Sequence, residues 1–105
     1  MSGSSTSRNI NATILGRRTR SPLSLPFALS FENNKNGRTL NLGETVIRQN
    51  EINPFLSALR RRGITVTAVH THWLFDKPSL MYMHWENIVC EARTRHLPLR
   101  RCSFI

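Results

Sequence analysis

Hydrophobic positions recur at helical spacing in the middle of the chain and alternate with polar ones on either side of it. In "NEINPFLSALRRRG", Ile52, Phe55, Leu56 and Leu59 fall on one face, the pattern of a helix laid on a sheet. Gly63 is expected to end this helix, and its start is expected at Asn50 with Glu51 in the first turn or at Asn53 with Pro54 in the first helical position. Arg60, Arg61 and Arg62 lie in the last turn, where cations complement the helix dipole. Downstream, "ITVTAVHTHWL" is rich in β-branched residues and reads as a strand, "FDKP" as a loop, and "SLMYMHWENI" as a returning strand. Upstream, "LPFALSF" and "TLNLGETVI" flank Asn36-Gly37, two residues that tolerate positive φ, and predict another hairpin. The fold class that follows is α+β: a small antiparallel sheet of about four strands in the order β-β-α-β-β, with one helix packed on one face.

The ends of the chain lack such patterns. "MSGSSTSRNINATILGRRTRSP" is rich in Ser, Thr, Asn and Arg, so residues 1–22 are expected to form a flexible basic tail, with order beginning near Leu23. Residues 23–92 then form one domain and 93–105 a second basic tail. A chain of 105 residues supports one core.

Its net charge of +9 invites a nucleic-acid reading, but the charge sits at the ends. Arg8, Arg17, Arg18, Arg20 and Lys35 meet only Glu32 in residues 1–37, and Arg93, Arg95, Arg100 and Arg101 meet no acid in 93–105. Between them, six basic residues face five acidic ones. No specific nucleic-acid partner is therefore expected. Cys90 and Cys102 match neither a zinc ribbon nor a disulfide scaffold and read as free thiols. No apolar run approaches the roughly 20 residues that span a bilayer, and the N-terminus lacks a secretory core, so no transmembrane segment and a cytoplasmic location are expected.

The stretch "AVHTHWLFDKPSLMYMHW" holds three of the four histidines and both tryptophans. Strand alternation places Val66, Ala68, His70 and His72 on one face, and Leu80, Tyr82, His84 and Glu86 on one face of the returning strand. If His72 opposes Leu80, His70 opposes Tyr82 and Ala68 opposes His84, all three imidazoles share a face, with His70 and His84 diagonal neighbours. Such a group suits a divalent metal ion, with zinc, manganese and iron the candidates. Glu51 or Glu86 would act as a further ligand or general base, and an open position would permit hydrolysis. Trp73, Trp85, Met81 and Met83, on the other face, are expected to pack against the helix. The competing readings are a metal-free module that binds a small molecule or a partner through the histidine face, and an inactive half-domain.

"GETVIRQNEINPFLSALRRRGITVTAVHTHWLFDKPSLMYMHW" resembles the LppY/LpqO-type lipoprotein family, a domain of unknown function with an E-V-N-P segment, a G-I-x-V-T-A-L-H-N-H-M segment and a later F-M-H-F-W. The resemblance implies importance for Glu51, Asn53, Pro54, His70, His72 and His84. Thr71 stands where the family pattern has Asn, and Trp73 where it has Met. Members of that family usually hold two tandem copies and are often exported, whereas this chain has one copy and ends in an arginine-rich segment. A truncated unit is thus expected, completed as a homodimer because one helix covers only one face of a sheet.

Overall fold

In the computed structural model, which describes residues 2–33, 38–90 and 100–101, the helical spacing of Ile52, Phe55, Leu56 and Leu59 is met by α1 (Ile52–Arg61). Gly63 ends it at φ +74, a conformation that only glycine adopts without strain. Its N–H donates to the Arg60 carbonyl and that of Ile64 to the Leu59 carbonyl, both at 3.0 Å, which closes the helix by a Schellman motif. At the other end neither asparagine caps. A 3-10 turn (Gln49–Glu51) leads into α1, and the Glu51 carboxylate accepts the Arg48 N–H at 2.9 Å, so an acidic side chain meets the first free donor.

The four strands expected from the pattern are β4 (Pro26–Asn33), β5 (Arg38–Arg48), β6 (Thr65–Thr71) and β8 (Leu80–Cys90). Among the described residues five more are present: β1 (Ser2–Ser7), β2 (Ala12–Ile14), β3 (Arg17–Thr19), β7 (Asp76–Lys77) and β9 (Arg100–Arg101). The main sheet runs β1-β4-β5-β8-β6, with β9 also paired to β8, and a three-stranded sheet runs β3-β2-β7; every pairing is antiparallel. Both β5 and β6 pair with β8, so they run parallel to each other, and α1 crosses between them over β8 as a split β-α-β unit. The Asn36-Gly37 turn lies outside the described residues, as do Cys102, the Cys90 side chain and most of the expected C-terminal tail.

Alternation along β8 feeds two cores. Met81, Met83 and Trp85 face α1, with Ile47, Leu59, Phe27, Phe55 and Val69 packed around them. Leu80 and Tyr82 face the other way, into a cluster with Ile10, Ala12, Leu25 and Val46. Trp85 thus packs where the pattern placed it, but Trp73 does not: it lies against the second cluster, on the face away from the helix. The strict alternation along β6 also fails, because a bulge between Val66 and Ala68 turns Val66 to the helix side beside Val69.

The N-terminal segment is not a loose tail. β1 adds an edge strand to β4 over six residue pairs, Ile10 and Ala12 are buried, and β2 and β3 lie over the sheet face opposite α1. Arg8 clamps this segment: its N–H donates to the Leu25 carbonyl at 2.8 Å, and its guanidinium donates to the Val46 carbonyl at 3.0 Å and to both Glu51 oxygens. Low apolar content suggests disorder, yet a few buried side chains and one guanidinium fasten the segment to the sheet. That face, expected to await a second copy, is therefore partly covered by the chain's own first 25 residues.

Candidate metal centre

His70 lies near the end of β6, His72 just past it, and His84 in the middle of β8. The ladder pairs Ala68 with His84 and His70 with Tyr82, which is the register the sequence suggested. Paired residues share a face, so His70 and His84 stand diagonally on the side away from α1. Their rings are stacked with centroids 5.0 Å apart, and the His72 ring lies 4.7 Å from that of His70. One nitrogen from each imidazole can be chosen such that all three lie within 4.8 Å of one another.

The setting of this group is part buried and part open. His72 lies flat on Tyr82, ring centroids 3.9 Å apart and planes 7° from parallel, a contact that holds the imidazole although the residue is beyond the last β6 pair. Tyr82 is fixed in turn: its buried hydroxyl donates to the Ser24 carbonyl at 2.7 Å and accepts the Trp73 indole N–H. Burial pushes the Tyr82 phenol up from its ordinary pKa. The pKa of His72 is lowered, first by burial against Tyr82 and then by the neighbouring His70 and His84. A lowered pKa keeps this imidazole neutral, the form that ligates metal.

Of the two carboxylates singled out by sequence, neither belongs to this group. Glu51 stands at the start of α1, beside Phe27, Thr45, Ile47 and Phe55 on the helix side of the sheet. There Arg8 holds it in a two-pronged ion pair that lowers its pKa to about 2. Glu86 is exposed two residues beyond His84 on β8, pairing with Leu42 and Thr65.

The carboxylate that does meet the cluster is Glu44, whose Oε2 is 3.5 Å from His84 Nδ1. Glu44 pairs directly with His84 across β5 and β8. Those strands are separated in sequence by α1, β6 and β7, so no local pattern reveals the pairing. Only the knowledge that β8 returns to the middle of the sheet could have found it. Beside this pair, Ala28, Ser30, Leu42 and Glu44 surround an open hollow that reaches His84. Among the described residues, no helix is long and apolar enough to cross a membrane.

The family model described as Domain of Unknown Function (DUF1259) matches residues 2–92, a span that takes in both the histidine group and the packed N-terminal segment. No curated protein and no solved structure is matched by the chain.

Proposed function

Since the chain belongs to this family of domains of unknown function, whose description names no activity, we propose from the site itself that it binds a divalent metal ion through His70, His72 and His84. The observation that carries this reading is the approach of three imidazole nitrogens to within 4.8 Å of one another on one face of two paired strands. Nitrogens around a tetrahedral ion at about 2.1 Å lie roughly 3.4 Å apart, so ring rotations of modest size close the site without moving the strands. Three neutral imidazoles favour zinc, with iron and manganese as the next candidates.

Glu44 completes the arrangement from outside. A carboxylate at Nδ1 of a ligating histidine fixes the tautomer that leaves Nε2 free for the ion. Three protein ligands leave a further position for water, whose pKa the ion would lower, and the hollow beside His84 offers room for a small molecule next to it. A hydrolytic role rests on that open position. The segments that resemble the LppY/LpqO-type pattern support the choice of residues. The histidines of its H-x-H and its later histidine are the three in the cluster, whereas its E-x-N-P segment opens α1 and serves the fold through Glu51.

Metal analysis of protein purified without a histidine tag, followed by zinc titration, tests this reading. Stoichiometric metal lost in His70→Ala and His84→Ala, both still folded by circular dichroism, is the expected result. Absence of zinc uptake by the folded wild-type protein would overturn it.

A further inference from the structure

The turn between β2 and β3 places a leucine where a hairpin ordinarily carries asparagine or glycine. Ile14 pairs with Arg17, so Leu15 and Gly16 form a two-residue turn, with φ +53 and +75. Two successive positive φ values define the turn that favours Asn-Gly, and Leu15 is the only non-glycine residue in that conformation among those described. The side chain gains no packing in return, being 72% exposed.

Two further apolar side chains stand beside it. The Leu15 N–H donates to the Phe75 carbonyl at 2.9 Å, and Leu74 and Phe75 are 89% and 67% exposed. A strained leucine and two bare neighbours at one loop cluster form an apolar tip that the fold itself does not use. Its surroundings are basic. Arg18 and Lys77 pair with Thr13 from opposite sides and are exposed, as is Arg17 at the turn. The one acidic residue in these three strands, Asp76, is turned inward to accept the Leu80 N–H at 2.8 Å.

We propose that this tip is a membrane-docking surface: Leu15, Leu74 and Phe75 enter the interface of an anionic lipid bilayer while Arg17, Arg18 and Lys77 meet its headgroups. Protruding apolar residues rimmed by cations suit a negatively charged lipid surface. Three side chains at a tip also fall well short of the roughly 800 Å² per partner of a stable protein interface. The proposal is independent of metal binding.

The test is co-sedimentation with vesicles of phosphatidylglycerol and phosphatidylcholine in equal parts. Because the termini are themselves basic, the deciding variant preserves charge: Leu15→Asn with Leu74→Ser and Phe75→Ser. Vesicle affinity should fall on the order of tenfold or more in this variant, while its circular dichroism and melting remain those of a folded protein. Phe75→Ser alone serves as a milder version. Arg18→Glu with Lys77→Glu should weaken binding and flatten its salt dependence. Equal binding by wild type and the charge-preserving variants, or no binding by the wild type, overturns the proposal. So does concentration-dependent self-association that the apolar substitutions abolish in a protein that ignores vesicles, for the tip then joins two copies.

Discussion

Arg8 grips both oxygens of Glu51, at 2.9 and 3.0 Å, and so ties the N-terminal segment to the start of the helix across 43 positions of sequence. The pair holds the Glu51 pKa down to about 2. A depressed carboxylate stabilises the fold above its ordinary range, and that contribution disappears as pH falls from about 4.5 toward 2. Both side chains are about one-third exposed, which limits the effect to about 1 kcal/mol. Glu51→Gln should lower stability by that amount at neutral pH and shrink the difference from wild type in acid, as read by urea unfolding at several pH values.

Zinc affinity should be proton-linked. Ligating imidazoles must be neutral, so binding measured by calorimetry should weaken as the pH falls. His72, with its pKa already lowered by burial, contributes less to that loss than an ordinary histidine would. Replacing Glu44 with Gln should reduce affinity about tenfold, and His84→Ala by considerably more.

Tyr82→Phe removes one oxygen and leaves two groups without a partner, the Trp73 indole N–H and the Ser24 carbonyl. The expected cost is about 1–3 kcal/mol in chemical denaturation. Loss of order at His72 should follow, because the ring beneath it is no longer pinned from behind.

A methyl group at Gly43 would fall 2.1–2.3 Å from three atoms of the Trp85 indole. The strand carries no side chain there because the indole lies across its backbone. Gly43→Ala must displace a large ring that packs on Phe27 and Phe55, and a loss of about 2–3 kcal/mol should be seen in thermal melting.

Leu15→Asn should do the opposite. Asparagine tolerates positive φ better than leucine, and no buried contact is lost, so the variant should gain about 0.5–1 kcal/mol in the same assay.

The described residues between 23 and 90 are largely legible in the sequence because their periodicities are local. The helix follows from Ile52, Phe55, Leu56 and Leu59, its end from Gly63, and the histidine group from one hairpin register. What could not be read depends on distant partners. Ile10 and Ala12 look unremarkable among serines and arginines until Leu25 and Tyr82 bury them, and Arg8 counts as one more surface charge until Glu51 receives it. Alternation places Trp73 on the helix side with Trp85, but beyond the last pair of β6 it no longer governs, and the Tyr82 hydroxyl draws the indole to the opposite cluster. Glu44 stayed hidden because facing His84 requires strands that are not consecutive.

One strand serves two interiors. Met81, Met83 and Trp85 anchor β8 in one, Leu80 and Tyr82 in the other, and His84 rides on the same backbone. An ion that joins His84 to His70 and His72 would consequently act as a rivet through the strand that both cores share. Loading it should raise a single cooperative melting transition instead of stiffening one hairpin.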